Sequence, residues 1–134
     1  MCSAARMPQL LICARLTRLS HILQKEKLMS KYLIEASYTP EGLRGLQKDK
    51  ASGRKQAVTK LLESLEGKLE GMYFALGERD VILIIDVPDI VTGAALGMAV
   101  SASGLVRTKS TALLTVEETD QAIAKQVAYR APGG

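Results

Sequence analysis

The segment Val81–Val87 has apolar residues on both of its sides, and this feature limits the possible folds more than any other in the sequence. Side chains alternate between the two faces of a strand, so the four odd-numbered residues point one way while Ile82 and Ile84 point the other. A strand in a sheet with one face in water would instead alternate apolar and polar residues. The sequence therefore predicts a strand in a sheet that is covered on both faces.

The segments around this strand predict the order strand, helix, hairpin, helix, strand, and then a last helix. Strands are expected at residues 32–38, 68–76, 81–87 and 105–114. Helices are expected at residues 40–48, 52–66, 89–103 and 115–129. This is an α+β chain with a ferredoxin-like βαββαβ fold, a four-stranded antiparallel sheet with helices on one face, and an extra C-terminal helix. A second copy of the chain is the expected cover of the other face, which predicts a homodimer, and the C-terminal helix is the alternative cover.

The first 28 residues differ from the rest in their chemistry. Five of the 18 Lys and Arg residues but only one of the 14 acidic residues precede Met29, so the remainder is formally neutral although the chain carries +4. Because the folded part has no net positive charge to attract phosphates, we expect no nucleic-acid partner. Cys2, Cys13 and His21 also precede Met29, so the folded part has neither thiol nor imidazole. This excludes Cys nucleophiles, Ser-His-Asp catalysis and His-ligated metals there, and we expect no metal and no cofactor.

The chain is predicted to have three parts: an extension over residues 1–28 outside the fold, a domain over residues 29–130, and a flexible tail over residues 131–134. Met29 is followed at once by the first strand, which favours translation from Met29. A transit sequence or a membrane-surface helix is the alternative for the extension. No segment has the length and apolarity of a transmembrane helix. We therefore expect a cytoplasmic protein with no membrane partner.

Five short motifs are spread over roughly residues 31–118. They are the opening strand KYLIEASYT at residues 31–39, Ser52-Gly53-Arg54, the turn Gly77–Asp80, Pro88-Asp89, and the helix end Ala99–Gly104. Together they resemble the GYD-domain family, small bacterial and archaeal proteins similar to the ferredoxin-like dimeric α/β barrels. Where the family name leads us to expect tyrosine before Asp80, this chain has Arg79. The resemblance implies the fold and the dimer and implies no reaction.

Ser52-Gly53-Arg54 is the first candidate for a ligand site. A hydroxyl that caps a helix, a glycine that lets a ligand approach the backbone, and a cation at a helix N-terminus suit a phosphate or a carboxylate. Lys55 follows, but the spaced second glycine of a Walker A motif is missing. An ordinary capped helix start explains the same residues. Arg54 is the residue expected to contact the anion.

Asp80 closes the predicted hairpin turn and is the second candidate. Its carboxylate would lie near the mouth of a cleft and would serve as a base if burial raised its pKa. The structural alternative has Asp80 bonded to amides of the turn, with Gly77 at a positive φ.

Tyr32, Thr108 and Lys109 are the remaining candidates. Together with Asp86, they would line a cleft between helices and sheet that binds a small polar molecule, with either Thr108 or Lys109 reaching it. An edge strand that Lys109 guards against aggregation explains the same polar residues.

Two functions fit these residues. The first is a dimeric module that binds a small anionic ligand or a protein partner. The alternative is a small cofactor-independent enzyme of oxidase or isomerase type, in which a Tyr, Asp or Lys transfers a proton. The enzyme requires a closed apolar pocket of roughly a few hundred Å³ behind the helices. No catalytic residue is assigned from the sequence.

Overall fold

The computed structural model describes residues 29–134, which form four strands and three helices. The strands are β1 (Ser30–Tyr38), β2 (Lys68–Phe74), β3 (Val81–Val87) and β4 (Val106–Leu113). The helices are α1 (Pro40–Ser64), α2 (Ile90–Ala102) and α3 (Val116–Ala124). The order β-α-β-β-α-β-α confirms the predicted α+β, ferredoxin-like architecture with its extra C-terminal helix. The predicted extension over residues 1–28 lies outside the described residues.

The strands form one antiparallel sheet in the order β2-β3-β1-β4. The two most apolar strands, β1 and β3, are therefore central, and β2 and β4 are the edges. Ile34 of β1 pairs with Leu83 on one side and with Ser110 on the other. This register puts the small polar residues of β4 beside the apolar centre of the sheet.

The core lies between the sheet and the helices α1 and α2. Its buried side chains are Ile34, Ala36, Leu62, Val81, Leu83, Ile85, Val87, Leu96 and Val106. In β3 the odd-numbered residues are buried, whereas Ile82 and Ile84 remain partly exposed on the opposite face. We call this second side of the sheet the open face; its apolar residues are Leu33, Tyr73, Ile82, Ile84 and Leu113.

Helix α1 joins two predicted helices across a kink. The sequence predicted a break over residues 49–51, between the two helices, but only Lys50 leaves the helical conformation, at φ 63° and ψ 163°. A left-handed φ on a residue other than glycine is unfavourable, and it is confined to this one position. Ser52 consequently lies inside the helix just after the kink, so the prediction that Ser52 caps a helix is wrong.

The end of α1 is shaped by close contact with β3. The backbone N–H of Gly67 donates to the carbonyl of Leu62 at 2.7 Å, and Glu66 takes the left-handed φ of 58°. A Cβ at position 67 would lie only 2.8 Å from the carbonyl oxygen of Asp86. Glycine is needed at this position because the chain passes so near β3.

The hairpin between β2 and β3 differs in detail from the prediction. β2 ends at Phe74, earlier than expected. Gly77 does not take a positive φ; among the glycines of residues 29–134, Gly104 and Gly133 do. The backbone of Asp80 accepts from the N–H of Ala75 at 2.8 Å and donates to the carbonyl of Ala36 at 2.9 Å. The hairpin is therefore fastened to β1 through Asp80.

Helix α2 begins and ends as the sequence predicts. Asp89 is its N-cap, and the carboxylate accepts from the N–H of Thr92 at 2.7 Å. This hydrogen bond favours the ionised form and lowers the pKa of Asp89 below its ordinary value. Gly104, at φ 71°, ends the helix and turns the chain toward β4.

The C-terminal helix α3 is short and exposed. It starts at the predicted capping box, in which Thr115 and Glu118 exchange hydrogen bonds of 2.8 Å and 3.1 Å. It ends at Ala124, well before the predicted Tyr129, and none of its residues is buried. Among the described helices, none combines the length and apolarity needed to cross a membrane.

Candidate functional site

Arg54 lies four residues after the kink in α1, and its side chain is partly buried. It lines two adjoining spaces, one beneath the helices and one at the surface. Tyr38, Val100 and Val106 line both spaces as well. Arg54 is thus the charged residue at the passage between the surface and the core.

The inner space is a narrow apolar cavity of about 60 Å³ between the helices and the sheet. Its walls include Leu62 of α1 and Leu96 of α2, both buried. Since one water occupies at least about 10–15 Å³ on this scale, the cavity has room for only a few atoms. It is much smaller than the roughly 300–1,000 Å³ of a usual ligand pocket.

The outer space, which we call the Arg54 cleft, has a volume of about 210 Å³ and opens to solvent. Its lining residues are Tyr38, Gly42, Gly45, Leu46, Asp49, Arg54, Val100, Ser103, Leu105 and Val106. Most are apolar or contribute backbone. The Ser103 hydroxyl already donates to the carbonyl of Val100 at 2.7 Å and accepts from the N–H of Leu105 at 3.2 Å. Arg54 and Asp49 are therefore the charged groups that a ligand in the cleft would meet.

The guanidinium of Arg54 has no ion-pair or hydrogen-bond partner among residues 29–134. Asp49 lines the same cleft but does not pair with it. Partial burial weakens the screening of Arg54 by water, so an anion in the cleft would interact with it more strongly than at a fully exposed site. The planar guanidinium also matches the two oxygens of a carboxylate.

The shape of the Arg54 cleft depends on how closely the start of α1 approaches the start of β4. The N–H of Thr39 donates to the carbonyl of Leu105 at 2.9 Å, and the Thr39 hydroxyl caps α1 by accepting from Gly42 at 3.1 Å. A Cβ at position 42 would lie 2.3 Å from the same Leu105 oxygen. Glycine at position 42 therefore permits the contact that forms this end of the cleft.

The carboxylate of Asp80 makes a hydrogen bond that the sequence did not predict. Its carboxylate accepts a hydrogen bond of 2.8 Å from the backbone N–H of Tyr38, at the end of β1, and not from amides of its own turn. Asp80 lines neither the inner cavity nor the Arg54 cleft. It holds in place the strand end that carries Tyr38 into the cleft.

Ser52 and Gly53 follow the kink without lining the Arg54 cleft. Ser52 is exposed, and Gly53 is partly exposed. A Cβ on Gly53 would make only an ordinary contact of 3.7 Å with Asp49. Of the predicted triplet, Arg54 alone reaches a cavity.

The predicted cleft around Tyr32 is divided between the two faces of the sheet. Tyr32 and Thr108 lie on the helix face, in an open groove of about 510 Å³ between α2 and β4. Lys109 pairs with Glu35, and Asp86 pairs with Lys31, both on the open face. Thr108 can therefore share a site with Tyr32, whereas Lys109 and Asp86 cannot, because successive strand residues point to opposite faces. Lys109 lies on the edge strand β4. This is the position in which a lysine would protect a sheet edge against aggregation.

A cluster of charges marks one end of the open face. The Lys31 ammonium contacts the carboxylate of Glu70 and lies 3.0 Å from an oxygen of Asp86. The hydrogen bond to Glu70, followed by the contact with Asp86, raises the pKa of Lys31 above its ordinary value of 10.5, although partial burial acts in the opposite sense. These charges limit the apolar part of the open face to its centre.

Tyr38 and Asp49 were missing from the sequence-based set of site residues. In the sequence-based prediction, Tyr38 is the last residue of the first strand and Asp49 follows the first helix. Neither pattern shows that the kink at Lys50 brings Arg54 and Asp49 to the same cleft as the end of β1. For Asp49, the only available signal in the sequence was its place in a polar stretch just before a predicted helix start.

Comparison with known proteins identifies one family. The family model described as GYD domain matches residues 32–123, from β1 into α3. No curated protein and no solved structure matches the chain. Within residues 29–134, no group of three or more His, Cys, Asp or Glu residues is arranged to hold a metal ion.

Proposed function

The chain belongs to the GYD-domain family, and we propose that it is a dimeric module that binds a small carboxylate with an apolar body in the Arg54 cleft. The observation that carries this proposal is the guanidinium of Arg54, which is partly buried at the mouth of an apolar cleft and has no partner among residues 29–134. The carboxylate would pair with Arg54, and the apolar body would pack against Leu46, Val100 and Val106.

Asp49 supports a ligand with a single negative charge. Its carboxylate lines the same cleft and would repel a doubly charged phosphate more strongly than a monocarboxylate. The cleft volume of about 210 Å³ also favours a ligand of few atoms. The alternative of an enzyme has less support, because the cavity behind the helices measures only about 60 Å³.

Ligand binding is tested by NMR titration of the ¹⁵N-labelled protein with hexanoate, hexanol and inorganic phosphate. Hexanoate is expected to shift the amides around Arg54 and Leu105, with weaker effects from the other two compounds. A hydrogen-bonded charge contributes about 1.5–3 kcal/mol, so Arg54→Met should weaken hexanoate binding by roughly 10- to 100-fold. Lys55→Met is the matched control, since Lys55 is the next residue, is exposed and does not line the cleft. Equal affinities of the two variants would contradict the proposal.

The dimer is supported by the apolar centre of the open face. Ile82 and Ile84 are partly exposed there, and the side chain of Tyr73 is 67% exposed. Apolar side chains that are contiguous on one face of a sheet gain free energy when a second copy covers them, and a two-fold axis lets the same face serve both copies.

Dimerisation is tested by native mass spectrometry of the full chain. Tyr73→Lys places a charge on the open face, beside Ile82, and is expected to convert a dimer into a monomer. Val91→Lys is the matched control, because Val91 is 73% exposed but lies on α2, on the opposite side of the sheet. A wild-type monomer, or a Tyr73→Lys variant that remains as dimeric as the control, would contradict the open-face dimer.

A further inference from the structure

Gly97 lies in the middle of α2, and the space beside it is unfilled. A Cβ at position 97 would meet no atom of residues 29–134 within 4 Å. Gly93, one turn earlier, is glycine for a packing reason, because a Cβ there would lie 3.3 Å from the ring of Tyr32. Alanine is more favourable than glycine in a helix interior. The glycine at position 97 therefore leaves a space that packing in the described chain does not require.

This space lies on the side of α2 that faces the sheet. Residues four positions apart share one side of a helix, and a Cβ at Gly93 would contact Tyr32 and Val87 of the sheet. Gly97 therefore faces the sheet as well, and it lines the inner cavity. Val100, three residues further along α2, lines both the inner cavity and the Arg54 cleft. The space beside Gly97 is thus part of the cavity that begins at the Arg54 cleft.

The inner cavity adjoins the Arg54 cleft at one end and the open groove between α2 and β4 at the other. It shares Arg54, Val100 and Val106 with the cleft. It shares Gly97 and Thr108 with the groove. At 1.5 Å of rise per residue, Gly97 lies about 4.5 Å beyond Val100 along α2, roughly the length of three methylene groups. A chain that starts at Arg54 can therefore extend past Val100 to Gly97.

The walls of the inner cavity suit an alkyl chain. Within residues 29–134, Arg54 is the only charged side chain that lines it. Its volume of about 60 Å³ admits a few atoms in a row. Water in an apolar cavity finds few hydrogen-bond partners, so an alkyl chain that enters it gains free energy. The buried aliphatic side chains of its walls are Ile34, Leu62, Leu83, Ile85 and Leu96.

We propose that the ligand of the Arg54 cleft is a straight-chain aliphatic carboxylate whose chain passes Arg54 and enters the inner cavity. Gly97 keeps the far part of this cavity open, and it is therefore the residue that determines the accepted chain length. The inference rests on the proposed binding of a carboxylate by Arg54. It adds the shape of the apolar body and a residue that selects its length.

The affinities of three carboxylates distinguish a chain in the inner cavity from a ligand that stays in the cleft. Each methylene group that leaves water for an apolar site increases affinity about four-fold, so octanoate should bind roughly 15-fold more tightly than hexanoate. Its isomer 2-propylpentanoate has the same atoms and charge, but each of its two arms is shorter than the chain of hexanoate. We expect this isomer to bind at least ten-fold more weakly than octanoate.

The test is an NMR titration of the full-length ¹⁵N-labelled protein with the three carboxylates. Gly97→Leu fills the inner cavity, so the preference for octanoate over hexanoate should fall from roughly 15-fold to about two-fold or less, with hexanoate affinity unchanged. Ala95→Leu is the matched control, because Ala95 is exposed on α2 and lines neither the cleft, the cavity nor the groove. Gly97→Ala adds one carbon to open space and improves helix propensity. It keeps the test valid if Gly97→Leu fails to fold, and its preference for octanoate should fall about four-fold.

Several results would overturn the role of the inner cavity and leave the Arg54 site standing. They are equal affinities of octanoate and hexanoate, equal affinities of octanoate and 2-propylpentanoate, and a preference for octanoate that neither Gly97 variant reduces. In each case hexanoate would still bind, and Arg54→Met would still weaken it. If hexanoate does not bind, or if Arg54→Met and Lys55→Met bind it equally, both proposals are rejected.

Discussion

Replacing Gly42 with alanine separates helix propensity from packing, because the two effects have opposite signs. Gly42 lies in the first turn of α1 and is buried against β4. In an open helical position, alanine is more favourable than glycine by about 1 kcal/mol. On propensity alone, the substitution should stabilise the protein.

The contact with Leu105 reverses this expectation. The new Cβ would lie 2.3 Å from the Leu105 carbonyl oxygen and 3.2 Å from its carbon. Both atoms belong to the backbone and cannot turn away as a side chain would. The start of α1 would have to move by about 1 Å, since ordinary contacts of this kind begin above 3 Å, and the 2.9 Å bond from Thr39 to the same oxygen would lengthen.

We therefore expect Gly42→Ala to be destabilising by about 2 kcal/mol overall. Forcing an additional carbon into a packed region costs roughly 1–3 kcal/mol, and loss of the Thr39 bond adds about 1 kcal/mol. The gain in propensity offsets about 1 kcal/mol of that sum. For a domain of this size, the melting temperature should fall by roughly 8–16 °C.

Gly45→Ala is the matched control in the same helix. A Cβ at position 45 would meet nothing within 4 Å, so only the propensity term applies and the variant should be more stable than wild type by about 0.5–1 kcal/mol. Urea unfolding followed by circular dichroism gives both values. If Gly42→Ala were as stabilising as Gly45→Ala, the close approach of α1 to β4 described above would be refuted.

Two further predictions concern hydrogen-bonded charges. Asp80→Ala removes the acceptor of the Tyr38 N–H; we expect a loss of about 1–3 kcal/mol and faster hydrogen exchange at the Tyr38 amide, whereas Glu78→Ala in the same exposed loop should change stability by less than about 0.5 kcal/mol. Because the pKa of Lys31 is raised above 10.5 in the folded state, its ion pairs stabilise the protein fully below pH 10.5 and lose this effect as the pH rises through the higher folded value. The difference in unfolding free energy between wild type and Lys31→Met, about 1 kcal/mol or less for a partly exposed group, should therefore be present at pH 8 and shrink toward pH 11.5. A difference between wild type and Lys31→Met that grew with pH would reject the role of the Lys31 ion pairs. An unchanged exchange rate of the Tyr38 amide in Asp80→Ala would reject the role of the Asp80 hydrogen bond.

The order of the elements could be predicted because local signals in this chain agree with the final fold. Thr39 and Pro40, Asp89, and Thr115 with Glu118 mark helix starts through bonds to residues only three positions away. The apolar residues of Val81–Val87 likewise identify a strand from alternation alone. Such signals depend on sequence neighbours, and they need no knowledge of the rest of the structure.

The candidate site was less predictable because it depends on contacts between distant segments. Arg54 was identified for a different reason, as part of a capped helix start, and its neighbours in that motif do not reach the cleft. Asp80 was assigned to its own turn, but its carboxylate bonds to Tyr38, 42 residues away. Thr108 and Lys109 could not be separated until the register of β4 against β1 assigned each to a face.

The sequence by itself determined that both faces of β3 carry apolar side chains, and alternation along a strand is sufficient to establish this. Only the tertiary structure decided what each face meets. Helices α1 and α2 cover the face of Val81 and Ile85, whereas Ile82 and Ile84 remain partly exposed on the open face. The physical reason is that burial depends on which elements the connections bring over a face, and the two helical crossovers of this chain lie on one side of the sheet. For the same reason, the structure alone revealed that no residue of α3 is buried against the part of the chain that it describes.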